Sequence, residues 1–359
     1  MKIVTVVGAR PQFIKSVMLS RALAEFSAIE EIVIHTGQHY DANMSDIFFE
    51  ELAITPPRFN LGVGGGTHGQ NTGRMIEKIE KILISINPEC VLVYGDTDST
   101  LACAIASSKL GMPLIHVEAG LRSFNRHMPE EINRVLTDHT AEVLYAPSTN
   151  AVRNLHHEGI APDKVMLSGD VMLDAVLSYK AVADKKSTVL ERLRILPNEY
   201  LFMTLHREEN TTDRSTLDRL IRAFAKSTRP VIFPVHPRTA KCLRDFKIEL
   251  PLSVIPIEPL GYLDSIRLIS SASLVLTDSG GIQKEAFFLR RPCVTLRSET
   301  EWIELVECGA NLLAGSDAEL IETSLTTRVF PPCAPAIYGT GSASTDIARD
   351  IAFRFGKGA

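Results

Sequence analysis

The chain has 359 residues, a net charge of −5 and a pI near 6.1, a balance that exerts no global pull on nucleic acid or on an anionic membrane. No apolar run reaches the length of a membrane span, MKIVTVVGAR is too short and too weakly flanked for a signal peptide, and the length suits two domains, each able to bury a core. The expected setting is the cytoplasm, where the six scattered cysteines, Cys90, Cys103, Cys242, Cys293, Cys308 and Cys333, read as free thiols and offer no zinc spacing.

The chain opens with KIVTVVG (2–8), a short β-rich run, and a helical pattern from Pro11 to about Phe26. EIVIHTG (31–37) reads as a second strand. A helix near 71–86, CVLVYGD (90–96), a helix near 99–110, LIHVEAG (114–120), a helix from Pro129 to His139 and VLYAPS (143–148) continue the alternation. Continuously apolar strands alternating with amphipathic helices predict a doubly wound parallel sheet. After VMLSGD (165–170) comes a helix that ends in a charged, polar stretch. A second α/β series follows: YLFMTLH (200–206), PVIFPVH (230–236), LSVIPI (252–257), SLVLTDSGG (273–281) and PCVTLR (292–297), with a final amphipathic helix from about Ser344 to Phe355.

In open α/β sheets ligands lie beyond the carboxyl ends of the strands. The segments there are GARPQFIK, TGQHYD, GDTDST, EAGLRS, HREEN, HPR, DSGG and TLRSETEW. One polar loop means little; so many in the same topological place predict a site in a cleft between two halves. Ser279, Gly280 and Gly281 stand between a strand and a helix, where backbone N–H groups can face an anion at the positive helix end. A Ser N-cap with a tight Gly turn is the bland alternative. Arg10 and Lys15 follow the first strand without a Walker loop; a forked Arg beside a compact Lys suits a diphosphate, although a surface pair would look the same. The GxGxxG at Gly64, Gly66 and Gly69 does not follow the first strand of a βαβ unit and is expected to be a flap. In GDTDST, Asp98 or Ser99 is expected to cap a helix, which leaves Asp96 as the functional candidate. His206 and Arg207 follow the first strand of the second half and suit a phosphate contact. In IHVEAGLRSFNRHMPEEINR (115–134) a short apolar strand empties into Glu118, Arg122, Arg126, His127, Glu130, Glu131 and Arg134; Arg122 is expected to organise the loop by pairing, and Arg126 and His127 to face solvent.

On GARPQFIK, TGQHYD, GDTDST, HVEAGLRS, MPEEINR, TDH, HREEN, HPR and DSGGIQKEA, in order and over nearly its whole length, the chain resembles the non-hydrolysing UDP-N-acetylglucosamine 2-epimerase family. The resemblance implies an α/β fold of two Rossmann-like doubly wound domains facing a cleft, as in GT-B glycosyltransferases. Residues 1–168 with the C-terminal helix 344–359 would form one domain and 169–343 the UDP-binding other. It also implies a UDP-sugar substrate, a homodimer, and no cofactor or metal. Carried over by position, Arg10, His206, Ser279, Gly280, Gly281 and Glu285 would bind UDP, with Leu260 beside the uracil. Lys15, Asp96, Glu118, Glu130 and His206 would form the catalytic set, and Arg134 a further polar contact. The family's reaction inverts C2 of a UDP-2-acetamido sugar by elimination and re-addition of UDP through a glycal. That chemistry needs cationic and dipolar groups on the diphosphate and acid/base groups on both faces of the ring.

The usual family start GTRPE is GARPQ here, with Gln12 for the Glu, and TERPE is TEWIE (300–304). With GGTHGQNTGRM and GDVMLD, these features resemble the branch acting on UDP-2,3-diacetamido-2,3-dideoxyglucuronate, a precursor of O-antigen sugars. Arg297 and Trp302 could then shape the sugar pocket, an Arg suiting the extra carboxylate. Gln38, His39 and Gln70 match positions where some members bind an activating UDP-GlcNAc; Gly69 stands where an Arg is expected there. Alternatives are a UDP-GlcNAc/UDP-ManNAc 2-epimerase, a hydrolysing 2-epimerase, a GT-B glycosyltransferase, against which Asp96, Glu118 and Glu130 argue, and a non-catalytic UDP-sugar binder.

Overall fold

The structure is a computed structural model and describes residues 1–38, 56–332 and 335–356, without the Arg10 side chain. The chain separates into two compact units, Met1–Ala175 with Ala336–Ala359, and Val176–Pro335.

The first unit is built on seven strands, β1 (Lys2–Val7), β2 (Glu30–His35), β3 (Phe59–Asn60), β4 (Cys90–Tyr94), β5 (Leu114–Val117), β6 (Val143–Ala146) and β7 (Val165–Leu167). They pair in parallel in the order β3-β2-β1-β4-β5-β6-β7. Every residue of β4, β5 and β6 is buried. A parallel sheet covered by helices on both faces has no solvent side, so these strands carry continuous apolar runs instead of alternating ones. The closing helix Ala343–Phe355 belongs to this unit and packs on helix Arg10–Ala24 through the buried Ile347, Ala348 and Ile351. Two hydrogen bonds fix it: Ser344 N donates to Asp174 Oδ2 at 2.6 Å and the Tyr145 hydroxyl to Asp350 Oδ2 at 2.7 Å.

The second unit holds six parallel strands, β8 (Leu201–Thr204), β9 (Val231–Pro234), β10 (Val254–Ile257), β11 (Leu274–Thr277), β12 (Cys293–Thr295) and β13 (Asn311–Leu313), in the order β10-β9-β8-β11-β12-β13. Leu201, Met203, Val231, Phe233 and Leu276 from the strands pack with Leu217, Leu220, Ile221 and Phe224 from helix Arg214–Arg222 and its end. β3 and β13 were not predicted; with two and three residues they are too short to show a period and exist through register with β2 and β12.

Both sheets reverse their strand order once, at β1/β4 in the first unit and at β8/β11 in the second. At such a switch point the connections leave in opposite directions and open a crevice at the carboxyl ends of the strands.

Candidate active site

At the first switch point the chain leaves β1 through Gly8. A Cβ there would come within 2.0 Å of Ser99 Oγ and 2.2 Å of Thr36 Oγ1, so only glycine allows the approach. Gln12, 1% exposed, accepts from the N–H groups of Gly8 and Ala9 at 2.8 and 3.0 Å through Oε1. Its Nε2 donates to Tyr94 O and Thr100 Oγ1 at 2.8 and 2.9 Å. This departure from GTRPE is thus a neutral staple between the turns after β1 and β4, with each amide hydrogen and the carbonyl oxygen engaged.

Lys15, on helix Arg10–Ala24, places its ammonium against the Glu118 carboxylate in an ion pair. Glu118 follows β5 with φ +71°, the left-handed region that a non-glycine residue enters at a cost. Its side chain is 3% exposed, and its N–H donates to Tyr145 O at 3.1 Å. Gly95, φ +62°, makes room: a Cβ there would lie 3.2 Å from Glu118 Oε2 and 3.4 Å from Lys15 Nζ.

Asp96, with 31% of its side chain exposed, is ion-paired to Arg134. The other arm of Arg134 donates to Glu131 Oε2 at 2.9 Å. Glu131 is buried and also accepts from Ser123 N, Ser123 Oγ and Phe124 N at 2.9 to 3.0 Å, which pins the loop ahead of helix Pro129–Thr140. Glu130, its neighbour in the first turn, is partly exposed. The helix after β4 is capped by Thr97, whose side chain accepts from Thr100 N. This corrects the expectation that Asp98 or Ser99 caps it. Asp98 is the first helical residue, and its carboxylate is taken by His68 Nδ1 at 2.7 Å and Asn133 Nδ2 at 3.1 Å.

Beneath these groups lies a buried network that the sequence reading missed. His116 in β5 places Nδ1 2.7 Å from Asp138 Oδ1 and Nε2 2.8 Å from Gly95 O. Both partners are oxygens that can accept, one a carboxylate and one a main-chain carbonyl. Asp138 Oδ2 accepts from Gly120 N at 3.1 Å and Arg122 Nη1 at 2.7 Å. Burial alone would raise the Asp138 carboxyl, but His116 and Arg122 hold it below the ordinary carboxylate value. Arg122 also forks onto Glu158, both contacts at 2.7 Å; it organises the loop as expected, while Arg126 and His127 are exposed.

At the second switch point His206 follows β8, and Asp278, Ser279 and Gly280 follow β11. Ser279 occupies the N-cap position of helix Gly280–Phe288 but makes no side-chain cap hydrogen bond. The bland alternative for this Ser is therefore absent, and the first-turn N–H groups have no side-chain cap from it. Gly280 lies against the Glu301 carboxylate: a Cβ there would stand 2.4 Å from Glu301 Oε1, so that side chain would have to shift. Glu285 is buried one turn along the helix, and Leu260 is half-buried in the loop after β10. Asp278, which sequence reading passed over inside its own DSGG motif, is buried and bonded to the main chain of His206 and Arg207.

The remaining expectations fare differently. Arg297 is buried, its guanidinium 3.0 Å from Glu301 and 3.7 Å from Glu209, so its charge is already matched within the second unit. Trp302 is buried under the Lys284 ammonium, 4.1 Å from the ring centroid, a cation–π contact. Gln70 closes a capping box with Thr67, accepting from Thr67 N at 3.2 Å. Gly69 lies inside that helix, His68–Ile86, not in a flap. Gln38 accepts from Ser99 N and Oγ at 3.1 and 2.7 Å. His39 lies outside the described residues, as does the Arg10 side chain. Among the described residues no three His, Cys, Asp or Glu side chains are grouped to hold a metal ion, and no helix is long and apolar enough to cross a membrane.

Two doubly wound parallel sheets in one chain, each with charged side chains gathered at its switch point, define an α/β protein of the GT-B kind. The profile of the UDP-N-acetylglucosamine 2-epimerase family matches residues 21–352. The UDP-2,3-diacetamido-2,3-dideoxy-D-glucuronate 2-epimerase of Pseudomonas aeruginosa is 47% identical over 98% of this chain and 99% of its own. A UDP-N-acetylglucosamine 2-epimerase homolog of Methanococcus maripaludis is 49% identical over 97% of this chain and 98% of its own. The crystal structure of Methanocaldococcus jannaschii UDP-GlcNAc 2-epimerase in complex with UDP-GlcNAc and UDP superposes with a TM-score of 0.91 at 40% identity, covering 98% of this chain and all of the other. The chain belongs to the UDP-N-acetylglucosamine 2-epimerase family.

Proposed function

We propose that the protein is a non-hydrolysing UDP-sugar 2-epimerase, an isomerase that inverts C2 by eliminating UDP and adding it back. The observation that carries the reading is the pairing of two carboxylates with two cations around one switch point, Glu118 with Lys15 and Asp96 with Arg134. The C1–O bond breaks with its electrons passing to the diphosphate, C2 gives its proton to a carboxylate, and a C1=C2 alkene remains. A proton then returns to the opposite face of C2 as UDP re-adds at C1. Glu118 is buried against Lys15 and Asp96 is part-exposed against Arg134, and such contrasting environments suit two carboxylates with separate proton-transfer roles. In this reading Glu130 completes the acid/base set and Lys15 and Arg134 steady charge beside the ring. Arg10, His206, Ser279, Gly280, Gly281 and Glu285 hold UDP, with Leu260 against the uracil. A homodimer working in the cytoplasm, without nucleic acid or membrane, goes with this reading and is supported by the family resemblance.

The substrate we favour is UDP-2,3-diacetamido-2,3-dideoxyglucuronate, in the supply of O-antigen sugars, supported by the Pseudomonas relative along nearly its full length. One observation favours UDP-GlcNAc instead: Arg297, the cation expected to meet the extra carboxylate, is buried against Glu301. Incubation of each nucleotide sugar in deuterated water, followed by proton NMR, decides. The diacetamido-glucuronate should exchange and invert at C2. Turnover of UDP-GlcNAc alone refutes that substrate, and accumulating free sugar refutes the non-hydrolysing route.

A further inference from the structure

We propose that Asn133 is a positioning residue for Asp96: its side-chain amide fixes the peptide plane that follows Asp96 and so sets the direction in which the carboxylate leaves the main chain. The proposal rests on the epimerase reading above, in which Asp96 is one of the reacting carboxylates.

A carboxylate on a single methylene group has little reach, so the backbone beneath it largely settles where it points. That backbone turns on two dihedrals between rigid peptide planes. Both planes flanking Asp96 are held from outside the turn. On the near side Gly95 O lies 2.8 Å from His116 Nε2, and Gly95 N donates to Val117 O at 3.0 Å. On the far side Asp96 O accepts from Asn133 Nδ2 at 3.0 Å. One carbonyl further back, Tyr94 O accepts from Gln12 Nε2 and Thr100 Oγ1, both at 2.8 Å. Three successive carbonyls of one turn thus each meet a buried side chain.

A main-chain carbonyl only accepts, which sets the Asn133 amide with its nitrogen toward the turn. The same nitrogen donates to Asp98 Oδ1 at 3.1 Å, so Asn133 also ties helix Pro129–Thr140 to helix Asp98–Lys109. The next residue, Arg134, holds the Asp96 carboxylate itself. Consecutive residues of one helix therefore grip one aspartate at its root and at its tip. With the root fixed, the part-exposed carboxylate meets a substrate already oriented, and little of the binding energy is spent on placing it.

Two variants separate this role from support of the fold. Asn133→Ala removes both hydrogen bonds and adds no charge. In it kcat should fall about 10–10²-fold, and KM should change by less than about threefold, since the loss falls on the transition state. The double variant Asn133→Asp with Asp98→Asn reverses the polarity of the helix-to-helix bond at unchanged net charge. It restores that tie but offers Asp96 O no donor. Its thermal midpoint should return toward the native value while kcat stays low. Hydrogen–deuterium exchange in the resting protein is the further measurement. The Thr97 N–H shares its peptide plane with Asp96 O, so exchange over residues 96–98 should quicken in both variants. Recovery of kcat together with stability in the double variant overturns the proposal, as does a native kcat in Asn133→Ala or unchanged exchange over residues 96–98 in both. The exchange is read without substrate, so the hold on the turn is decided even if the native chain inverts no C2, the result that would overturn the epimerase reading instead.

Discussion

Arg134 grips Asp96 with one arm of its guanidinium and Glu131 with the other, so the turn after β4 and the helix Pro129–Thr140 are joined through a single planar side chain. A fork can serve two carboxylates at once; an ammonium is a point charge and holds them with less direction. Arg134→Lys should therefore keep the fold, with Tm falling by no more than a few degrees, while kcat/KM drops by roughly 10²-fold as Asp96 loses its fixed orientation. Steady-state kinetics beside thermal unfolding would check this, and an unaltered kcat/KM would remove Asp96 from the reaction.

Glu118 is the second carboxylate of the pair, and its buried ion pair with Lys15 makes it sensitive to loss of charge. Glu118→Gln should abolish epimerisation. UDP affinity, measured by calorimetry, should stay within about tenfold, roughly 1.4 kcal/mol. A larger loss of binding would assign Glu118 a structural role instead.

Gly95 stands in the left-handed region next to both members of that pair. In Gly95→Ala the added Cβ would press on Glu118 Oε2 from 3.2 Å, and the backbone would carry a cost of about 1–2 kcal/mol. The expected result is a modest drop in denaturant midpoint with a larger drop in kcat, because the Glu118 carboxylate must give by a few tenths of an ångström. Equal activity with equal stability would show that the turn tolerates a side chain.

Asp138 predicts an acid limb in stability. Its folded carboxyl lies below the ordinary value because His116 and Arg122 overcome the effect of burial. A carboxyl lowered on folding contributes stability that is fully present above its unfolded value of about 3.9 and is lost as pH falls through the folded value. Tm should accordingly be flat with respect to this group near neutrality and fall below about pH 4. Asp138→Asn should be less stable at neutral pH, with a shallower acid slope. An identical slope in the two proteins would mean that the network does not couple to folding.

Much of the architecture was legible in the sequence because it depends on local pattern. Apolar runs such as CVLVY and LIHV are continuous since both faces of a parallel sheet are covered, and the polar segments after them mark the strand ends. Glu118, Asp96, His206 and Ser279 fall just after those ends for the same reason, and Lys15 lies in the helix that follows β1. The failures were equally physical. Thr97, not Asp98 or Ser99, caps its helix because a one-residue shift in the helix start changes which side chain reaches the free N–H. The partners of Arg297 were equally out of reach of the sequence, since tertiary packing brings Glu301 and Glu209 to it.

What the amino-acid order determined by itself was the succession of strands and helices, the two-sheet class and the residues standing at strand ends. Only the tertiary structure decided which charges meet. Lys15 and Glu118 are 103 residues apart in sequence, Asp96 and Arg134 38, and His206 and Asp278 72. No period or spacing links such pairs; they are brought together by parallel strands whose order reverses once in each sheet. Burial then gives each partnership its strength, since the charges of Glu118, Asp138 and Asp278 lie where water screens them little.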